Sequence, residues 1–242
     1  MIGMGTLLNT AAIVAGGLLG RFCGRLIQER HQSSLQNACG ISTMFLGIAG
    51  AMEGLLKAGE GGAISSGHGL FVVLCLTLGA LIGEIIDLED GFERFGEWLK
   101  VKTGNAGDQG FVHAFVTASL TVCIGAMAIV GSIQDGLHGD YSTLAVKSIL
   151  DLIIILVMTS AMGKGCAFSA IPVLILEGGM TLLSRLIAPV MTDAALGNLS
   201  MIGNILIFCV GLNLVFGKKI RVANLLPAIV LAVIAAFLPL SL

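Results

Sequence analysis

Apolar runs of about 17–25 residues recur along this chain, and a run of that length crosses the hydrocarbon core of a bilayer as one helix. Eight such spans parse at about 3–20, 38–56, 69–87, 110–131, 144–162, 166–187, 198–216 and 223–241. The runs are continuous. A membrane barrel would instead alternate apolar and polar residues in segments of about ten, so a closed barrel is excluded. Charged residues make up only 12% of the 242 residues and hydrophobic ones 56%, whereas a soluble domain carries about 25% charge. The expected fold is all-α: a polytopic helical membrane protein of about eight transmembrane helices, with the lipid bilayer as its solvent.

Several function classes drop out at once. The net charge of −2 offers no basic surface, so no nucleic-acid partner is expected. The six cysteines (23, 39, 75, 123, 166 and 209) form no CxxC or Cys/His cluster; they read as small buried residues with free thiols. There is no P-loop, no metal-ligand spacing and no nucleophile–base set, so neither an enzyme nor a bound metal or cofactor is expected. The first apolar run lacks a basic leader and a small-residue cleavage site, and reads as a retained span.

The basic residues orient the spans. Connections one, three, five and seven hold Arg21, Arg25, Arg30, Arg94, Lys100, Lys102, Lys164, Lys218, Lys219 and Arg221, ten in all. The other side holds Lys57, Lys147 and Arg185, which is three. The positive-inside rule puts the ten in the cytoplasm and both termini outside. In the third connection Leu88, Phe92, Phe95 and Leu99 recur at helical spacing beside Trp98, the pattern of a helix lying at the headgroups. Phe22, Leu26 and Ile27, before the polar stretch at 29–37, suggest a shorter interfacial piece. Residues 58–69 read as a flexible connection.

Glycine-bearing segments repeat. Gly16 to Gly20 aligns with Gly79 to Gly83, and Gly47 aligns with Gly125 and with Gly211. Residues 1–57 then form a partial repeat of two spans, 69–162 a repeat of three, and 166–242 an inverted repeat of three. Inverted repeats suit secondary transporters because two pseudo-symmetric halves exchange inward- and outward-open states. Gly16, Gly20, Gly79, Gly83, Gly47, Gly125 and Gly211 are expected to be packing positions, since small residues let helix backbones approach closely.

Polar residues in oily surroundings mark the candidate site, because intramembrane charges need partners or a function. Lys147 and Asp151 stand four apart on the fifth span and so share one helix face. They read either as a packing ion pair or as a gate. Glu177 lies near mid-span between Pro172 and Gly178-Gly179, which suggests a discontinuous helix. Ser132, Gln134 and Asp135 close the fourth span among glycines, either as a cradle for a cation or polar solute or as a capped helix end. Asn213 is expected to bind substrate or ion with them. Asn9 and Asn204 read as interhelical hydrogen-bonding amides.

Motifs spread over the chain carry a resemblance. They are Gly5-Thr6-Leu7-Leu8-Asn9-Thr10, Gly131-Ser132-Ile133-Gln134-Asp135-Gly136, Gly139-Asp140, Lys147-Ser148 and Leu150-Asp151. Further along stand Ser169 to Leu174 with Gly178, Gly211-Leu212-Asn213-Leu214, and Ala223-Asn224-Leu225-Leu226-Pro227. On these the chain resembles the YqgA/YdfK-type family of prokaryotic multi-pass membrane proteins, a domain of unknown function to which membrane transport is ascribed. It departs where the family favours a proline at Ala126 and a glutamine at Glu177. The resemblance implies a bacterial inner-membrane location and suggests transport; it supplies no substrate.

The function expected is a secondary transporter or permease moving a small polar solute or ion by alternating access. Coupling would draw on H+ or Na+ at the carboxylates. The alternatives are a passive channel, formed by a dimer, and a non-transporting membrane scaffold. Exposed glycine faces leave room for a homo-oligomer.

Overall fold

The computed structural model describes residues 2–24, 29–58 and 64–238. The described residues are all-α apart from one small hairpin. Among the described residues, six helical segments are long and apolar enough to cross a membrane: Met4–Gly24, Ser33–Leu55, Gly69–Ile86, Ser142–Met162, Lys164–Leu182 and Asp193–Phe216. A bent pair, taken as one span, makes a seventh. The protein is therefore a polytopic helical membrane protein. The eighth expected span corresponds to a shorter apolar helix, Val222–Ala235. Its first turn is a 3-10 helix, Val222–Leu225, and Pro227 opens the α-helical part, α11 (Pro227–Ala235).

Helix α1 (Met4–Gly24) lies on α7 (Ser142–Met162) because glycines remove the side chains between them. A Cβ at Gly16 would stand 2.5 Å from the Leu152 carbonyl oxygen, and one at Gly20 would run into that of Leu156. Ser160 closes the same seam by donating to the Gly20 carbonyl at 3.0 Å. Helix α2 (Glu29–Leu55) meets α10 (Asp193–Phe216) in the same way. There a Cβ on Gly47 would be 2.6 Å from Phe208 N, and one on Gly211 2.7 Å from Met44 N. Helix α3 (Gly69–Ile86) packs Gly79 against Ala228, whose N would be 2.5 Å from an added Cβ, and Gly83 against the Asn224 carbonyl. Without a hydrophobic drive between helices in lipid, such close backbone contact is the main source of association.

Helix α4 (Leu88–Lys102) follows α3 after a left-handed turn at Asp87 (φ 54°). It buries Leu99 and leaves Trp98 half exposed, the amphipathic arrangement its spacing requires. The polar stretch at 29–37, which the span parse leaves in the first connection, is helical and forms the first turns of α2. Leu26 and Ile27 lie outside the described residues, and Phe22 belongs to the end of α1. In the connection at 58–69, expected to be flexible, Ile64–Ser66 pairs antiparallel with Leu56–Ala58, and residues 59–63 lie outside the described residues.

The basic connections gather at one end. Lys164 reaches Asp108 (3.8 Å), Lys218 reaches Glu89 (2.9 Å) and Arg221 reaches Glu84 (2.8 Å), tying the third, fifth and seventh connections together. Arg21, from the first, lines a hollow with Thr103, Asn105 and Lys164.

Candidate functional site

The fourth span is the broken one. Helix α5 (Phe111–Cys123) ends with Ile124 N donating to the Leu120 carbonyl at 3.2 Å, and α6 (Ala126–His138) starts afresh at a bend of 62°. Gly125 between them has φ 157° and ψ 145°, a conformation that favours glycine. A Cβ there would meet nothing within 4 Å, so Gly125 breaks a helix and is not one of the packing glycines. The break expected around Glu177 is not found. Helix α8 (Ala170–Leu182) runs through Glu177, Gly178 and Gly179 unbroken. Pro172 is its third residue, where the missing N–H would have had no intrahelical partner.

Four elements converge beside the break. Helix α7 has no glycine or proline between Ser142 and Met162, and its turn of 3.6 residues stacks Lys147 on Asp151. The Lys147 ammonium forms an ion pair with Asp151 Oδ2, stands 3.5 Å from Glu177 Oε1, and donates at 2.9 Å to the Val122 carbonyl in the last turn of α5. The glycine seam holds α1 close enough for Asn9 Nδ2 to donate to Asp151 Oδ2 (3.0 Å) and to Glu177 Oε1 (2.8 Å). Asn9 and Glu177 are fully buried, and Lys147 and Asp151 nearly so. Two acceptors in the cluster, Asn9 Oδ1 and Glu177 Oε2, have no partner among the described residues. One cation between two carboxylates thus sits where ions are costly, held by hydrogen bonds from three helices and a helix end.

The other residues proposed from sequence fall elsewhere. Asp135 lies inside α6 and accepts from the backbone N–H groups of Gly3 (3.1 Å) and Gly5 (2.9 Å), so its carboxylate caps the start of α1. Gln134 accepts from the Thr143 hydroxyl at 2.7 Å. Ser132 is fully buried, and its hydroxyl has no partner among the described residues. The helix end expected at these three comes later, at Gly139 (φ 67°). Asn213 accepts from Lys219 N (2.9 Å) and Ile220 N (3.0 Å) and donates to Ile220 O (2.7 Å), which staples the turn after α10. Its polar atoms are committed to backbone.

The structure therefore groups Lys147, Asp151 and Glu177 and adds Asn9 and the Val122 carbonyl. Asn9 stands out in sequence only as an amide in an oily span, and its partners lie 142 and 168 residues away. A wall of apolar space adjoins the break as well. Ser119, Leu120, Cys123, Ile124 and Gly125 line a hollow of about 410 Å³ bounded by side chains of α4, α8, α10 and the last helix and open on the side of Ile175 and Val230.

Comparison with known proteins matches this sequence to a family. The chain is 28% identical over 233 residues to YdfK of Bacillus subtilis (strain 168), an uncharacterized membrane protein, covering 96% of this chain and 95% of that one. It is also 28% identical over 233 residues to the uncharacterized protein YqgA of Escherichia coli (strain K12), covering 95% and 94%. No solved structure matches it. The model of a protein of unknown function (DUF554) matches residues 4–237, and the chain belongs to that family.

Proposed function

We propose that this protein is a secondary transporter or permease of the bacterial inner membrane, moving a small polar solute or ion by alternating access. The observation that carries the reading is the Asn9–Lys147–Asp151–Glu177 cluster, buried against a broken span. Buried ions add little net stability over apolar packing, and in membranes they mark ion and substrate pathways. A half-helix boundary beside them is the usual construction of a transporter site. Lys147 has two carboxylates within reach and a backbone carbonyl besides. A proton or Na+ on one carboxylate would release it toward the other, and that is a two-state element.

In this reading the basic end faces the cytoplasm, the inverted three-span repeats supply the two access states, and no covalent chemistry is performed. The test is a current measurement on purified protein in liposomes on a solid-supported membrane, challenged with cations, anions and organic acids with and without a pH gradient. A transient current for one solute class is expected, and Asp151→Asn should abolish it while the protein still inserts and folds. Normal flux through Asp151→Asn would refute the assignment.

One observation favours a second reading, a non-transporting scaffold: Lys147 and Asn9 both already bond to Asp151. On that reading no solute gives a current, and Asp151→Asn alters only stability or partner capture.

A further inference from the structure

The hollow beside the break carries an inference about cargo. Its walls are Phe92 and Phe95 of α4, Leu120 of α5, Leu176 of α8, Leu199 of α10 and Ile229 of α11, all apolar. Its floor is the break itself. Helix α6 begins there with no side chain capping it, although Gly125 and Ile129 of that first turn line the hollow. The first N–H groups of a helix lack intrahelical partners and carry the positive end of its dipole. Ser119, also lining the hollow, is fully buried, and its hydroxyl has no partner among the described residues. A buried hydroxyl without a partner costs about 1–3 kcal/mol, and an acceptor in the hollow that Ser119 shares with the uncapped helix start would remove that cost. Of the buried ions it is the cation, Lys147, that bonds directly to the backbone of the break, through Val122 O.

We propose that this hollow binds a small monocarboxylate with an apolar tail, its carboxylate at the start of α6 and on the Ser119 hydroxyl, its tail among Phe92, Phe95, Leu176 and Leu199. A volume of about 410 Å³ is within the range of small-molecule sites, about 300–1,000 Å³, which combine apolar walls with a few placed polar groups. Half-helix starts receive substrate carboxylates in broken-helix transporters generally. As the identity of the cargo this rests on the transport reading; as a binding site it does not.

The molecule has its own reporter. Trp98 is the single tryptophan and stacks on Phe95, ring centroids 5.7 Å apart. The full chain in nanodiscs of zwitterionic lipid is titrated with straight-chain acids from acetate to octanoate and with the matched alcohols and amines. Trp98 fluorescence is followed, with equilibrium binding of radiolabelled hexanoate alongside. Acids should bind saturably, with affinity rising about fourfold per added methylene until the hollow is full. Alcohols should bind more weakly and amines not at all. Ser119→Ala should weaken acid binding about tenfold and leave the alcohols little changed.

Equal binding of acids, alcohols and amines would overturn the proposal, showing a mere apolar cavity. So would the lack of saturable hexanoate binding in both measurements. Acid binding without transport of any solute would keep the site and sink the transport reading. Transport of another solute with no acid binding would do the reverse.

Discussion

The molecule holds two ionic networks built from the same residue types in opposite surroundings. In the interior, Lys147 meets Asp151 and Glu177 with side chains at most 8% exposed. At the basic end, Lys218 meets Glu89 and Glu93, and Arg221 meets Glu84 and Asp87, with all of these except Glu89 at 38–49% exposure. Water screens the second set except at Glu89, whose carboxylate also accepts from Ala223 N at 2.9 Å, so its exposed ions keep their solvation and gain little from their partners. Nothing screens the first, so each of its ions depends on the others. Burial, more than the number of ion pairs, decides what a deletion costs.

That contrast is broken most directly at Lys147. Lys147→Met leaves Asp151 and Glu177 buried without their cation, and removing one partner of a buried pair costs about 3–5 kcal/mol. Thermal unfolding in detergent should register a larger loss than any substitution at the basic end produces; a midpoint within error of wild type would mean that the cluster is not an ionic unit. Next comes Gly83→Ala. Its new methyl would run into the Asn224 carbonyl and push α3 off the start of the last apolar helix. Overpacking of this kind costs about 1–3 kcal/mol, and disulfide crosslinking between α3 and α11 should fall with it.

The basic end has its own buried element, which sharpens the comparison. Asn224, 1% exposed, accepts from Glu89 N at 2.7 Å and donates to Glu84 at 2.9 Å. Asn224→Ala should therefore cost about 1–2 kcal/mol by orphaning the Glu89 amide, more than loss of the visible salt bridges around it. Lys218→Gln should cost under about 1 kcal/mol, and less still in high salt.

Lys218 also gives the sign of a pH effect. Partial burial works against its ammonium, but the Glu93 and Glu89 carboxylates outweigh that and hold its pKa above the usual 10.5. A raised pKa means the stabilisation is fully present below the unfolded value and is lost as pH rises through the folded one. Wild type minus Lys218→Gln should be constant from neutral pH to about 10 and shrink only above it. A difference that shrank between pH 6 and 8 would show that another group is titrating.

How much of this is legible in the sequence depends on the range of the contact. The Lys147–Asp151 pair is local, four residues on one helix, and the spacing alone places both on one face. Glu177 is legible as a charge in an oily run, although its partners are not. Asn9 and Asp135 are misweighted for one reason. Each makes bonds across more than 120 residues of chain, and an amide or a carboxylate carries no mark of what lies opposite. Gly125 misleads differently. Glycine serves both close packing and a left-handed or extended break, and only the neighbouring helix, present at Gly47 and absent at Gly125, tells the two apart. Hydropathy carries the last span to residue 241, whereas among the described residues its apolar helix is Val222–Ala235, and residues 239–242 lie outside them.

The clamp of Asp135 on Gly3 and Gly5 has a consequence for how the protein is made. Helix α1 leaves the ribosome well before α6, and the carboxylate that completes its start is about 130 residues behind it. Its glycine seam waits still longer, for Leu152 and Leu156 of α7, and α2 waits for α10. The opening hairpin must therefore dwell in the translocon or in lipid as an unfinished pair while most of the chain is synthesised. Nascent chains halted before α7 should expose α1 to protease or crosslinker, and chains halted after α10 should not. For this protein α1 is inserted before α7 but is assembled only after it.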